Sequence, residues 1–172
     1  MRFFLSLFLF FLIFNTPVVA EQKIVFVDMD KLISASKPGS SVFNQLKNIN
    51  DKNLTFLKKE EKKFKEKEKI LIAQKKIISE ADFQNKINEL RSEIDDYNQN
   101  RNNMIEKFNK LKVDNTNNLL KLINPLLTKF SKDNHISIIL QKKNLIMGKT
   151  ELDITAEVIK IINNEIKEFK IK

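Results

Sequence analysis

The sequence holds no cysteine, one histidine, two glycines and three prolines in 172 residues. Without cysteine no disulfide can staple the fold, no thiolate can act as nucleophile or metal ligand, and no lipidated thiol can anchor the chain. The cysteine count is silent on the redox compartment. His135 stands alone, so a zinc site or a Ser–His–Asp triad lacks the partners it needs. Gly148-Lys149-Thr150 imitates the end of a phosphate-binding loop. That motif requires a glycine five residues earlier, and position 143 is lysine. No catalytic, cofactor-binding or metal site is expected. The scarcity of glycine and proline leaves few tight turns, which argues against a sandwich or barrel.

What is present is charge mixed with periodic apolar residues. Charged residues make up 31% and apolar residues 42% of the chain, a balance suited to long amphipathic helices. The periodicity argues against disorder, which so much Lys and Asn would otherwise suggest. The net charge is +9, and residues 41–132 hold 20 Lys/Arg against 13 Asp/Glu. A basic surface favours acidic partners, nucleic acid or anionic lipid. A chain rich in Lys, Asn, Ile and Phe also follows from A/T-rich coding, so part of the excess needs no function.

The N-terminus reads as a secretory signal. Arg2 precedes an apolar run from Phe3 to Phe14 broken only by Ser6; Asn15 and Pro17 end it, and Val18-Val19-Ala20 precedes Glu21. The run is well short of the roughly 20 apolar residues a bilayer span needs. Cleavage is expected after Ala20, with an uncleaved anchor as the alternative.

Lys23 to Asp28 is short, β-branched and aromatic, and reads as a buried strand. Asp30 to Ala35 can form a short helix, and residues 36–40 form a breaker cluster. A long helix is expected from Val42 to Ile78, capped by Ser40 or Ser41, with Phe43, Leu46, Ile49, Leu57, Phe64, Leu71 and Ile78 on one side. The last four are spaced by seven, as in a coiled-coil seam. Residues 77–82 are expected to turn, with Ser79 and Asp82 as a weak capping box; one uninterrupted helix is the alternative. A second seam follows: Phe83, Ile87, Leu90, Ile94, Tyr97, Arg101, Met104, Phe108, Leu111, Asn115, Asn118 and Leu122.

A fold-back at Ser79 makes partner numbers sum to about 158, matching Leu71 with Ile87, Phe64 with Ile94 and Leu54 with Met104. Charge agrees: residues 47–76 carry 11 Lys against five acids, and residues 77–112 carry six Lys/Arg against seven acids. The two helices should attract weakly. Pro125 is expected to kink the chain near Asn124. His135–Leu140 and Leu145–Met147 read as a strand hairpin. Thr155 is the expected cap of a final helix with Val158, Ile161, Ile162, Ile166 and Phe169 as its apolar stripe. Strand-forming pieces at both ends must meet, and the small body they form is expected to oligomerise.

Two charged features read as solvated helix surface. Asp95 and Asp96 are neighbours on a helix and face different ways, so they cannot clamp a metal. The run Lys58 to Lys69 is interleaved with Glu60, Glu61, Glu66 and Glu68, which dilutes a phosphate footprint, and no specific nucleic-acid partner is expected.

The blocks Lys23-Ile-Val-Phe-Val-Asp-Met29, Pro38-Gly39, Ile138-Ile-Leu140 and Asp153-Ile-Thr-Ala-Glu-Val158, with a charged helical hairpin between them, resemble the Skp/OmpH family of periplasmic chaperones over residues 21–163. The resemblance implies a mainly α fold with a small β part. A long antiparallel coiled-coil hairpin, the arm at 39–132, would stand on a β-containing trimerisation body at 21–38 and 133–172, after a signal peptide at 1–20. It implies a homotrimer in the periplasm that holds unfolded outer-membrane proteins without ATP, and no enzyme activity. Ile24, Val25, Phe26, Val27, Ile136, Ile138, Leu140, Leu145 and Met147 would build the trimer body. Leu57, Phe64, Leu71, Ile87, Leu90, Ile94, Met104 and Phe108 would form the arm seam. The chain departs from the pattern at Pro125 and at Asn115 and Asn118 in the seam, where the arm is expected to loosen. Anionic lipid or lipopolysaccharide is a further partner that basic arms would suit. The rival readings are a membrane-anchored structural coiled coil and a basic protein binding DNA or lipopolysaccharide.

Overall fold

The structure, a computed structural model, describes residues 22–172; the expected signal segment and the cleavage after Ala20 lie outside the described residues. The fold is mainly α-helical with one small sheet. Strand β1 (Lys23–Val27) leads into helix α1 (Met29–Ala35) and then α2 (Lys37–Gln74). A short turn joins α2 to α3 (Glu80–Asp133), which is followed by strand β2 (Ile136–Gln141), two single 3₁₀ turns and α4 (Thr155–Glu165). At 38 and 54 residues, α2 and α3 reach about 57 and 81 Å.

The start of α2 corrects the sequence reading. Its cap is Ser36, whose Oγ accepts from the Gly39 N–H at 3.3 Å. Pro38 and Gly39 therefore lie in the first helical turn instead of breaking the chain, because the first-turn N–H groups have no helical acceptor for proline to disrupt. At the other end α2 stops at Gln74, four residues before Ile78. The turn falls where expected: Ser79 accepts from the Asp82 N–H at 3.1 Å and its hydroxyl donates to the Asp82 carboxylate at 2.6 Å.

Pro125 does not end α3, which runs through it to Asp133. Both Pro125 and Lys121, whose carbonyl loses its helical partner, face solvent, so water can replace the missing bond. His135 is the connector between α3 and β2, not part of a strand, and its φ of 53° lies in the left-handed region.

The two strands come from opposite ends of the described chain and pair in parallel, with Ile24 opposite Ile138, Val25 opposite Ile139 and Phe26 opposite Leu140. The expected hairpin is wrong: Leu145–Met147 forms no strand, and β2 spends its ladder on β1. On the other side of β1, Asp153 makes a single parallel bridge to Phe26, where the Ile154 N–H donates to the Phe26 carbonyl at 3.0 Å.

The core sits around this sheet. Val25 and Val27, Leu32, Val42, Leu46, Leu119, Ile123, Ile136, Ile154, Val158 and Ile162 are buried together. The apolar stripe of the last helix is partly displaced: α4 ends at Glu165, and Ile166 and Phe169 belong to an extended segment that packs on the core edge. Thr155 is not the cap of α4 but its first residue. Its hydroxyl accepts from the Asp28 N–H at 2.9 Å and donates to the Asp153 carboxylate, stitching the end of β1 to the start of α4.

Asp153 carries the electrostatics of that stitch. Burial pushes its carboxyl up, but the Lys142 ammonium at 2.8 Å and the Thr155 hydroxyl and N–H outweigh this and lower it to about 2, from an ordinary 3.8. A lowered carboxyl contributes stability that is complete above the unfolded value and is lost as pH falls through the folded one. Asp153→Asn is expected to destabilise the protein at pH 7 by on the order of 2 kcal/mol. The difference from wild type should close between pH 4 and 2 in urea titrations run at fixed protein concentration.

Candidate functional site

Contacts between α2 and α3 descend in register, one number rising as the other falls. The Tyr97 hydroxyl donates to Glu61 at 3.0 Å, Lys67 pairs with Glu93, and the Phe64 and Tyr97 rings meet edge-on at 5.4 Å. Burial and the Glu61 carboxylate hold the Tyr97 phenol above its ordinary range. Nearer the turn, the Lys75 ammonium lies 5.8 Å from the Phe83 ring. These sums run from 158 to 161, close to the value expected from a fold-back at Ser79.

The seam this register creates is thin. Leu57, Phe64, Leu71, Ile87, Leu90, Ile94, Met104 and Phe108 are all half-buried, and none is fully enclosed. Two helices alone cannot surround a side chain, so each apolar residue keeps one flank in water. Open clefts result. One of about 520 Å³ is lined by Phe64, Leu71, Phe83, Ile87, Leu90 and Ile94, which brings together the expected pairs Leu71/Ile87 and Phe64/Ile94. Another, of about 560 Å³, sets Ile49, Asn53 and Phe56 against Met104, Phe108 and Leu111. Leu54, expected opposite Met104, instead turns outward and is exposed.

The seam of α3 shifts toward the sheet. Arg101, Asn118 and Leu122 are exposed, and burial passes from Asn115 to Leu119 and Ile123. Steps of four replace the alternation of four and three because here α3 packs on several elements of the core and no longer follows one helix. Asn115 does not loosen the junction. It is fully buried with both amide atoms bonded.

The residues expected to build an assembly surface divide between two faces of the sheet. Val25, Val27 and Ile136 are spent on the chain's own core. Ile24, Ile138 and Leu140 lie on the opposite face and are 40–45% exposed, and Ile146 and Met147 in the following loop are almost bare. Leu145 is half-buried, and Phe26 is covered by Gly148 and by the Lys142 ammonium at 5.8 Å from its ring. Among the described residues no cluster of His, Cys, Asp or Glu could hold a metal, and no helix is long and apolar enough to cross a membrane.

Sequence reading missed the anchor of the C-terminal segment. Ser41, Gln45 and Asn115 bond the main chain of residues 169–172. The signal was present in the step of two from Phe169 to Ile171, which suits an extended segment and not a helix.

Long paired helices with a half-open apolar seam are thus rooted in a small sheet whose second face is apolar and partly exposed. The OmpH-like outer membrane protein family matches residues 23–162, and the chain belongs to it. It is a periplasmic chaperone of the holdase kind. A solved structure of a candidate outer membrane chaperone (OmpH-like) from Caulobacter crescentus superposes with a TM-score of 0.81 at 15% identity, over 91% of this chain and 92% of that one. At that identity the likeness concerns the fold. No curated protein matches the sequence.

Proposed function

We propose that the chain is exported with loss of residues 1–20 and holds unfolded outer-membrane proteins without ATP. In this reading α2 and α3 form a coiled-coil arm over 39–132, carried by a body of 21–38 and 133–172 that joins three copies. The observation that carries the reading is the distribution of burial. Among the described residues the fully buried side chains gather near the sheet, while the helices beyond expose Leu54, Phe56, Ile70, Ile72 and Ile105 among lysines. Such surfaces offer many weak, non-directional contacts to a chain with no fixed shape. Arms fixed at one end also open cheaply, since few contacts must be lost.

The body supports assembly. A two-stranded sheet is unstable alone in water, and its uncovered face of Ile24, Ile138 and Leu140 calls for a partner surface. The test is aggregation of an unfolded outer-membrane protein diluted from urea, with and without residues 21–172. The expected result is suppression at one trimer per client; undiminished aggregation at that ratio rejects the proposal.

A second reading concerns the turn. Ile70, Ile72 and Ile77 are exposed there beside Lys69, Lys75 and Lys76, a mixture suited to anionic lipid or lipopolysaccharide. Vesicle binding that weakens with salt would support it, whereas DNA binding with a steep salt slope would favour the nucleic-acid rival.

A further inference from the structure

The segment after α4 runs in extended form through the groove between the roots of α2 and α3. Its main chain is bonded on both sides by side-chain amides. On the α2 side Gln45 Nε2 donates to the Phe169 carbonyl at 2.8 Å, and Gln45 Oε1 accepts from the Ile171 N–H at 3.3 Å. On the α3 side Asn115 Oδ1 accepts from the Lys172 N–H at 3.0 Å, and Asn115 Nδ2 donates to the Lys172 carbonyl at 3.2 Å. The parity is that of a β-ladder: residues 169 and 171 address one neighbour and residue 172 the other. Two amides stand where neighbouring strands would be.

The amides are held independently of the segment they bind. The second hydrogen of Gln45 Nε2 is shared between Ser41 Oγ at 3.0 Å and the Ser41 carbonyl at 3.3 Å, and Asn115 Nδ2 donates to the Leu111 carbonyl at 2.8 Å. Ser41 Oγ donates a second bond to the Phe169 carbonyl at 3.1 Å. Phe169 and Ile171 contribute apolar packing against the core edge, without complete burial of either side chain. Every polar contact is therefore to backbone groups that any extended peptide carries.

From this geometry we infer that Ser41, Gln45 and Asn115 form a binding site for extended polypeptide backbone, occupied at rest by the chain's own residues 169–172 as a tethered competitor. The inference rests on the holdase reading and adds a place where a client chain is gripped by its main chain. Occupancy by the tether lowers the apparent affinity by the fraction of molecules in which the site is free. A client of high local concentration displaces it.

Two full-chain variants separate this from a purely structural strap. Phe169→Ser with Ile171→Ser frees the segment and leaves the amides; Gln45→Leu with Asn115→Leu frees it and removes them. The probe is a fluorescein-labelled peptide of about ten residues, alternating apolar and polar and unrelated to residues 164–172. The serine variant should bind it about tenfold more tightly than wild type, and the leucine variant should show no gain. Equal affinities in the two variants overturn the site. In wild type, amide hydrogen exchange at Ile171 and Lys172 should accelerate on adding the peptide while the β1 amides keep their protection. Unchanged exchange at saturating peptide also overturns it, and this arm needs no variant to fold. If wild type suppresses client aggregation while the site fails these tests, the holdase reading stands and only the backbone site falls.

Discussion

Gly39→Ala is expected to destabilise the protein by about 3 kcal/mol, although the same change inside an ordinary helix stabilises by about 1 kcal/mol. The sign reverses for reasons of space and not of conformation, because neither glycine has a positive φ. A Cβ built on Gly39 would lie 1.6 Å from the Ile33 carbonyl oxygen and 2.7 Å from its carbon. The obstacle is backbone, which cannot rotate away, and α1 is pinned by Leu32, which has no exposed surface. Relief requires α1 to lift off α2, opening the core between Leu32 and Val42. Urea unfolding of Gly39→Ala and Ser40→Ala at one protein concentration checks this. Ser40 is exposed one residue away, and its substitution should change little.

Replacing Ile138 and Leu140 together by Asp is expected to convert the proposed trimer to monomers. Both side chains project from the sheet face that the chain's own core leaves uncovered, in register with Ile24 and Phe26. On the proposed trimer each substitution appears three times, placing six carboxylates in an apolar contact. A desolvated, unpaired carboxylate costs several kcal/mol, far more than a small interface can absorb. The monomer should keep its helical circular dichroism, because neither residue belongs to the buried cluster. Sedimentation velocity reads the outcome: a trimer that survives both substitutions places the assembly surface elsewhere.

The long helices were legible because they are repetitive. Seven-residue spacing from Leu57 to Ile78, and steps of four and three from Phe83 to Leu111, state a period many times over, and one stray residue does not erase it. The turn was legible from Ser79 and Asp82 because a cap is a local event. What failed depended on partners distant in sequence. Leu145-Ile-Met147 has strand composition, but β2 had already found β1, more than a hundred residues away, and no local pattern announces that choice. Pro38-Gly39 has the composition of a breaker, and only the approach of the Ile33 backbone to Gly39 explains the glycine. Asn115 looks like a flaw in a coiled coil; only the segment at residues 169–172 explains it. Val25 and Val27 could not be separated from Ile24 and Ile138 by composition, since both faces of the sheet are apolar and only one meets the core.

The paired helices, and not the sheet-bearing body, are expected to hold the client. A matched deletion tests it. Removing 54–67 from α2 and 91–104 from α3 takes two heptads from each helix and preserves the descending register, so the root and the turn should rejoin without a change of face. The shortened protein is expected to sediment as the same oligomer and to unfold at a similar urea concentration. Its suppression of outer-membrane protein aggregation should fall several-fold. Full suppression by the shortened oligomer would contradict the account and move the holding surface to the body.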